Sequence, residues 1–428
     1  MMQPYITPIH QVDRRGTHPC SQIGSDDNLI IKGDNLHILQ NLLPRMAGRV
    51  KFVYADPPYN THQTSFAYPD YFQREAYLSM MRERLTLAVQ LLCDDGALVV
   101  QCDDHEQAYL KVMMDGIDGL EFLNCIAVKM SEATGVKMQH AHRRFPKLKE
   151  YLLVYVKPAF KGLVEIDKYE TGQWDDENDI FLEGMTPALR QQLTDLQNQD
   201  PCREEDALLA TQLLKDIRLV PLNKVLRQQR FASAQARQEW LYDHSYCIVK
   251  TAGSDSLTKV VKGLAHRPQQ QQVAAALSKR NILFFYLCHF NESVRSPRLR
   301  IIFADENLYK HPCDFWQDIK TTGAVAREGG VCLPCGKKPE RLLYRLIKAF
   351  THPGDGVLDL FAGSGTTCAV AHKMQRRYIG CEQMETQVQL IQTRLYNVIH
   401  GDQTGISPLA TWQGGGAYTY CEIATANQ

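Results

Sequence analysis

The residues of this sequence best suited to chemistry are Asp56-Pro57-Pro58-Tyr59. They follow an apolar run, residues 50–54, that predicts a buried strand. Because proline cannot donate an N–H to a strand ladder, the chain must leave the sheet there as a stiff turn. Ligands of open α/β sheets bind at the carboxyl ends of strands. The turn therefore predicts a carboxylate, free carbonyls and an aromatic face at an active edge, which would fit a planar, amine-bearing substrate. A purely structural turn is the alternative.

A glycine-rich turn far downstream predicts a nucleoside site. Residues 356–367 predict a strand, a tight turn and the start of a helix, and Gly363 and Gly365 allow positive φ and close approach of a ligand. The next predicted strand is followed by Glu382, which is placed for a ribose diol. Cys368 stands where a dinucleotide fingerprint has its third glycine, which disfavours a nicotinamide cofactor without excluding it.

Strand and helix patterns on either side of the two motifs predict an α/β sheet that positions them. Residues 28–32 predict a strand ending at Gly33-Asp34, and a helix capped by Asp34 or Asn35 follows. An amphipathic helix is expected over 74–93, and regular α/β patterning resumes near residue 311 after a stretch of different character.

Composition limits the partners and the kind of site. The chain has 428 residues, and its 48 Lys and Arg balance 48 Asp and Glu, so a nucleic acid must be held by a local basic surface. No signal-peptide pattern or bilayer-spanning run occurs, and a cytosolic protein with reduced thiols is expected. The only Cys-x-x-Cys, at residues 332–335, lacks a second ligand pair. No metal is assigned there, nor to the acids Asp103, Asp104 and Glu106.

The two motifs together resemble those of S-adenosylmethionine-dependent DNA amino-methyltransferases. Asp56-Pro57-Pro58-Tyr59 resembles their catalytic tetrapeptide and residues 359–367 resemble their cofactor loop. Their order in the chain, with an insertion between them, resembles the permuted β group of that family. Further segments are similar to the modification (Mod) subunits of type III restriction-modification systems: residues 33–36, 147–151, 337–340 and 414–420.

The resemblance implies an α/β fold of the Rossmann-like methyltransferase type. It would contain a permuted, seven-stranded sheet with helices on both faces and an inserted target-recognition domain. The expected parts are an N-terminal arm (1–25), a catalytic half (26–160), an inserted DNA target-recognition or helical domain (161–310) and a cofactor-binding half (311–428).

The resemblance also implies the reaction, which is methyl transfer from S-adenosylmethionine to the N6 amino group of an adenine flipped out of double-stranded DNA. Asp56 and the Pro57 carbonyl would accept the amine hydrogens, and Tyr59 would stack on the base. The aspartate at position 56 favours adenine over cytosine by resemblance. The expected cofactor-binding residues are Asp34, Lys338, Asp359, Phe361, Gly363, Gly365, Thr366 and Glu382. The expected DNA-binding residues, for which a solvated loop is the alternative, are Lys137, Arg143, Arg144 and Lys147.

Several alternatives stay open at this point. An N4-cytosine DNA methyltransferase or an RNA methyltransferase would keep the same core. An NAD-dependent oxidoreductase would use the glycine turn but would leave the double-proline turn unexplained. A DNA-binding module with an inactive core would bind DNA and transfer nothing. The resemblance further implies a homodimer that is cytoplasmic and bacterial or phage-encoded, with no membrane, and leaves open a restriction (helicase-nuclease) subunit as partner.

Overall fold

Strands and helices alternate at both ends of the chain, and a differently built segment separates them. The computed structural model describes residues 5–61, 70–131, 142–143, 145–167, 169–170, 174–199, 201–253, 271–289, 297–319, 323–333 and 336–424. The N-terminal part contains β1 (Tyr5–Asp13), β2 (Gly16–Pro19), β3 (Leu29–Lys32), α1 (Asn35–Met46), β4 (Val50–Ala55), α2 (Arg74–Leu91), β5 (Leu92–Cys102), α3 (Gln107–Asp115), β6 (Glu121–Lys129) and β7 (Lys149–Val156).

The middle part contains β8 (Tyr169–Glu170), β9 (Ile180–Glu183), α4 (Pro187–Gln197), α5 (Glu204–Leu213), β10 (Arg218–Pro221), α6 (Leu222–Gln228), α7 (Ala234–Asp243), β11 (Ile248–Gly253), β12 (Val273–Leu277), β13 (Leu283–Leu287), β14 (Arg298–Phe303), α8 (Ala304–Leu308) and β15 (Tyr309–Lys310). The C-terminal part contains β16 (Phe315–Trp316), α9 (Glu340–Phe350), β17 (Gly356–Asp359), α10 (Thr366–Lys373), β18 (Arg377–Glu382), α11 (Glu385–Ile399) and β19 (Tyr418–Ala424). Short 3₁₀ segments lie at Ser245–Cys247 and Gly323–Gly330.

The chain divides into two compact units. One combines Met1–Asp167 with Pro312–Gln428, and the other is Lys168–His311. The second unit contains a six-stranded sheet in the order β10-β9-β11-β14-β13-β12, in which each pair of neighbours is antiparallel. Sequence patterns predict only helices in this region. They miss the sheet because its strands are short and, apart from the β12–β13 hairpin, pair with residues distant along the chain.

The larger unit is built on an eleven-stranded sheet in the order β16-β6-β7-β5-β4-β17-β18-β3-β19-β1-β2. Its centre has the predicted kind of topology: β5, β4, β17, β18 and β3 are parallel, while β7 is antiparallel to β5 and β6. The predicted number of strands, seven, is too small. The predicted N-terminal arm instead contributes β1 and β2, because β1 pairs with β19 at the far end of the chain.

Helices cover both faces of this sheet, as predicted. Alternate residues of β4 point to opposite faces, as the two-residue period of a strand requires. Phe52 and Tyr54 pack in the core under α9, α10 and α11, whereas Val53 and Ala55 pack in the core under α1, α2 and α3. In the described part of the chain, no helix has the length and apolar character needed to cross a bilayer.

Candidate active site

The carboxyl ends of two neighbouring strands bring the two sequence motifs together. β4 and β17 are parallel, with Tyr54 paired to Asp359, and Leu360 N donates to the Tyr54 carbonyl at 3.1 Å. The tetrapeptide that follows β4 and the glycine turn that follows β17 therefore lie at the same edge of the sheet. β3 joins them there, since it pairs with β18 and Gly33 N donates to the Glu382 carbonyl at 2.9 Å.

The double-proline turn is fixed at its exit by side chains. The Tyr77 hydroxyl donates to the Pro58 carbonyl at 2.9 Å. Asn60 has φ of 54°, a conformation that asparagine tolerates better than most residues. Its amide donates to Glu106 Oε1 at 2.9 Å, and its oxygen accepts from Phe72 N at 2.7 Å. These bonds hold the turn in a form that presents Asp56 and Tyr59.

Four side chains meet at this turn and form the Asp56 cluster (Asp56, Tyr59, Glu150 and Lys338). The Tyr59 hydroxyl lies 2.8 Å from Asp56 Oδ1 and 2.9 Å from Glu150 Oε2, so it can donate to either carboxylate. Lys338 Nζ donates to the Tyr59 hydroxyl at 2.7 Å and to Glu150 Oε2 at 2.9 Å, and it lies 3.3 Å from Asp56 Oδ1. One ammonium group thus serves two carboxylates.

The two carboxylates that share this ammonium have pKa values shifted in opposite directions. Burial raises the pKa of Asp56 to about 6; the ammonium of Lys338 opposes that rise and the charge of Glu150 adds to it. Burial also acts against the charged form of Glu150, but the attraction of Lys338, together with hydrogen bonds from Lys338, Gln101 and Tyr59, outweighs it and holds the pKa of Glu150 below its usual value. The cluster therefore contains one acid that is firmly ionised and one, Asp56, that can gain a proton near neutral pH.

Polar groups on two central strands support Glu150 from behind. Gln101 Nε2, on β5, donates to Glu150 Oε2 at 2.6 Å. Tyr54, on β4, donates from its hydroxyl to Gln101 Oε1 at 2.5 Å. Gln101 is fully buried, so its amide has little freedom to turn away from these partners. The chain of bonds fixes where the Glu150 carboxylate sits.

The glycine turn combines one open and one crowded position. Gly363 has φ of 53°, and a Cβ there would meet nothing closer than the Phe361 carbonyl at 3.9 Å. Gly365 has φ of 75°, and a Cβ there would meet Ile391 at 3.1 Å. Asp359 Oδ1 accepts from Phe361 N at 3.0 Å, and burial raises the pKa of Asp359 to about 7. Asp359 shapes the turn, while the space beside Gly363 stays open.

Two predicted cofactor acids flank this turn. Glu382 is mostly buried, and its carboxylate accepts backbone N–H groups from Gly363 at 2.8 Å, Gln383 at 2.9 Å and Met384 at 2.8 Å. Asp34 caps α1, as one of the predicted alternatives: its Oδ1 accepts from Leu36 N at 2.8 Å and from Arg84 Nη2 at 2.9 Å. Both lie at the expected edge, and their contacts to a ligand stay predictions.

Lys338 and Thr366, expected at the cofactor, have other partners in this structure. The Lys338 side chain lies in the Asp56 cluster. The Thr366 hydroxyl accepts from Arg394 Nη1 at 2.7 Å and donates to the Lys338 carbonyl at 3.2 Å. Thr366 therefore ties the backbone of Lys338 to the helix that follows the glycine turn.

A second charged network lies beside Thr366 and is named here the Glu340 network (Glu340, Lys373, Arg394 and Asp402). Lys373 Nζ donates to Glu340 Oε2 and to Asp402 Oδ2, both at 2.9 Å. Arg394 Nη2 donates to Glu340 Oε1 at 2.8 Å. The network joins α9, α10, α11 and the segment after α11 around the glycine turn.

The basic residues expected at DNA differ in their surroundings. Lys137 and Arg144 lie outside the described residues. Arg143 is exposed and donates from Nε to His142 Nε2 at 3.2 Å. Lys147 is ion-paired with the buried Asp103, and its Nζ lies 6.0 Å from the centre of the Tyr59 ring. A role in DNA binding stays a prediction for all four.

Sequence reasoning gave no role to Glu150 and Gln101, although both belong to the site. The available signal was weak: Glu150 is the first acid after a basic connection that runs from residue 137 to 149. Within the described residues no group of three or more His, Cys, Asp or Glu is arranged to hold a metal ion.

Comparison with known proteins gives consistent matches. A model of the N6/N4 methyltransferase family, described as DNA methylase, matches residues 50–393. The chain is 33% identical over 424 residues to the HindVI Mod subunit of Haemophilus influenzae, described as a probable type III restriction-modification enzyme subunit, covering 94% of this chain and 54% of that protein. It is 24% identical over 405 residues to the EcoPI Mod subunit of a type III restriction-modification enzyme from Escherichia phage P1, covering 83% and 56%.

The chain thus spans about half the length of these two relatives. Among solved structures, the complex of M1.HpyAVI with SAM is 14% identical with a TM-score of 0.40, and the match covers 86% of this chain and 98% of that one.

Proposed function

This chain belongs to the family of DNA methylases, and we propose that it transfers a methyl group from S-adenosylmethionine to the N6 amino group of adenine in double-stranded DNA. One observation carries the proposal: β4 and β17 are hydrogen-bonded neighbours, so Asp56 and the glycine turn share one edge of the sheet. A methyl donor at the turn and an amine at Asp56 would be neighbours there. Positioning of this kind supplies a large part of a rate enhancement.

Asp56 and the Pro57 carbonyl would bind the amine as hydrogen-bond acceptors. The amine lone pair of adenine is delocalised into the ring, and acceptors for its two hydrogens favour a pyramidal nitrogen whose lone pair can form the new bond. Positive charge develops on that nitrogen, and the nearby carboxylate stabilises it. The nitrogen takes the methyl group and releases one proton, which Asp56, with a pKa of about 6, is placed to accept.

The reacting nitrogen lies inside a duplex, so the base must be flipped out of the stack. The ring of Tyr59 stands at the same turn and offers a face on which the base would stack. In this structure the Tyr59 hydroxyl donates to Asp56 Oδ1 at 2.8 Å, and an amine that takes this oxygen as its acceptor would displace the hydroxyl toward Glu150 Oε2, which lies 2.9 Å from it.

The residues around the glycine turn fit the cofactor. The open space beside Gly363 would be filled by a Cβ, and a ligand can approach the backbone there. Gly363, Gly365, Phe361 and Asp359 would form the cradle, with Glu382 toward the ribose and Asp34 toward the adenine. S-adenosylmethionine supplies the activated methyl group when bound.

Target recognition would fall to the second unit, which corresponds to the inserted domain predicted at 161–310. The matched Mod subunits are named as parts of restriction-modification enzymes, and this supports DNA as the substrate and a restriction subunit as a partner. A homodimer and a cytoplasmic location follow only from the resemblance. Light scattering of the purified chain, alone and with a candidate restriction subunit, tests both assemblies.

The test is transfer of label from radioactive S-adenosylmethionine to plasmid DNA from a methylation-deficient host. We expect labelled N6-methyladenine after digestion to nucleosides, and methylation-aware sequencing then gives the recognition sequence. Labelled N4-methylcytosine would instead support the alternative that the family model also covers. Absence of label from DNA, with label in RNA or in neither, would contradict the proposal.

The first prediction concerns Asp56→Ala, which should lower transfer by at least about 100-fold because the acceptor for the amine is lost. Binding of S-adenosylmethionine, measured by calorimetry, should be unchanged. The matched control is Asp115→Ala, which removes an exposed carboxylate on α3 and should leave transfer as in the parent chain. Full turnover by Asp56→Ala would show that the assigned role is wrong.

A further inference from the structure

The side chain of Lys338 makes its closest contacts with the tetrapeptide turn. Its Nζ lies 2.7 Å from the Tyr59 hydroxyl, 2.9 Å from Glu150 Oε2 and 3.3 Å from Asp56 Oδ1. The side chain is only 8% exposed, so water can replace few of these interactions. Its place in the structure is therefore set by the catalytic turn.

We propose that Lys338 and Glu150 are positioning residues of the methyl-transfer site: Lys338 keeps Asp56 ionised, and Glu150 holds the Lys338 ammonium beside it and gives the Tyr59 hydroxyl a second acceptor. This inference rests on the proposed function and adds two residues to its machinery. Lys338 acts on the amine only through Asp56, and Glu150 acts only through Lys338 and Tyr59.

An ionised Asp56 is needed because a protonated carboxyl loses part of its capacity to accept the amine hydrogens. Burial works against the ionised form, and so does the negative charge of Glu150. Lys338 favours it most, and the hydrogen bond from Tyr59 adds to that effect. The ionisable groups that bear on Asp56 from the surrounding elements are Tyr54 on β4, Tyr59 on the turn, Cys102 on β5, Glu150 on β7, Lys338 before α9 and Asp359 on β17.

Glu150 has the opposite electrostatic effect on Asp56, but it also fixes the positions of Lys338 and Tyr59. Its Oε2 accepts from Gln101, Tyr59 and Lys338 at 2.6, 2.9 and 2.9 Å. Without it the ammonium would have one carboxylate partner, and the Tyr59 hydroxyl would lose an alternative acceptor. Charge and geometry can be separated by Glu150→Gln, which keeps the shape of the side chain and removes its charge.

The decisive experiment is the pH dependence of single-turnover methyl transfer to plasmid DNA, measured from pH 5 to 9. The parent chain should lose activity on the acid side near pH 6, where Asp56 gains a proton. Lys338→Met should move that midpoint up by about one pH unit or more, because the ammonium no longer opposes protonation. Glu150→Gln should move it down. A purely structural role does not predict two shifts of opposite sign.

Three controls accompany the two variants. Lys51→Met removes a lysine that is 16% exposed and ion-paired with Asp95 at 2.7 Å away from the site, and the midpoint should stay unchanged. The double variant Lys338→Met/Glu150→Gln should have a midpoint between those of the single variants. Circular dichroism checks that each variant is folded, and Glu150→Gln alone still tests the sign if Lys338→Met does not fold.

Infrared difference spectra recorded during a pH titration provide a readout independent of activity. A protonated buried carboxyl absorbs apart from a carboxylate, and the band lost in Asp56→Asn identifies Asp56. If the parent chain methylates no DNA, the proposed function fails while this titration still tests the inference. Midpoints of Asp56 that move in one direction, or do not move, in folded Lys338→Met and Glu150→Gln would overturn it.

Discussion

Lys338 and Glu340 are separated by a single proline, yet their side chains enter charged networks of different kinds. The Glu340 network has two acids and two bases, and none of its side chains is more than 9% exposed. The Asp56 cluster has two acids and one base, and its carboxylates are 17% and 18% exposed. The pKa of Glu340 is lowered, because Arg394 and Lys373 outweigh the effect of burial, whereas that of Asp56 is raised to about 6. Balance of charge thus distinguishes a network that supports the fold from one that can take up a proton.

The largest effect on stability is expected when a charge is removed from the Glu340 network. Glu340→Gln leaves Lys373 and Arg394 without their shared partner, and we expect the free energy of unfolding to fall by about 3–5 kcal/mol. Urea denaturation followed by circular dichroism measures it. Glu385→Gln, whose carboxylate is 55% exposed and paired with Lys32, should change stability little. A loss below about 1 kcal/mol in Glu340→Gln would mean that the network is not needed for stability.

Removing the charge of Asp56 from the Asp56 cluster should instead raise the free energy of unfolding. The folded-state pKa of Asp56 lies above its usual value, so the folded chain binds the proton more tightly, and ionised Asp56 costs stability above about pH 6. Asp56→Asn should therefore raise the free energy of unfolding at pH 7.5 by about 1–3 kcal/mol. The gain should disappear as pH falls from 6 toward 4, since the parent carboxyl then becomes neutral.

The control substitution should change the free energy of unfolding in the opposite direction. Hydrogen bonds from Lys111 and Tyr155 lower the pKa of Asp115, so its charge stabilises the fold and Asp115→Asn should lose stability at pH 7.5. Destabilisation of Asp56→Asn at pH 7.5 would show that the cluster is held together by the charge of Asp56.

The smallest effect is expected at Thr366, which contacts both networks. Thr366→Val removes the hydroxyl that accepts from Arg394 and donates to the Lys338 carbonyl, and we expect a loss of about 1 kcal/mol in the free energy of unfolding. Thr393→Val is the matched control, because its hydroxyl donates to the Gln389 carbonyl on an exposed turn of α11. Equal losses in the two variants would mean that Thr366 does not couple the networks.

Local pattern was sufficient to predict the elements that carry the motifs. The apolar run at β4, the cap of α1 at Asp34 and the amphipathic repeat of α2 follow from residues near one another in the chain. The sequence also predicted that the two motifs meet, because the carboxyl ends of parallel strands lie at the same edge of a sheet. The N-terminal strands could not be predicted, since β1 is stabilised by pairing with residues 418–424.

The composition of the site was predictable only in part. Asp56, Tyr59 and the glycines are recognisable from their immediate neighbours in sequence. Glu150 and Gln101 are not, because their roles arise from side chains that meet across β4, β5 and β7. The place of Lys338 depends likewise on how the segment before α9 approaches the turn, which no local pattern encodes.

The hydrogen bond from Tyr59 to Asp56 also bears on which bases the proposed site would admit. An exocyclic amine entering the turn offers its own hydrogen and replaces the phenol without leaving the carboxylate unsatisfied. A base that presents a carbonyl oxygen at that point, as thymine does, would place an acceptor against the acceptor oxygen of Asp56. No hydrogen bond would then replace the one lost from Tyr59. Rejection of such bases would thus precede any bond-making step.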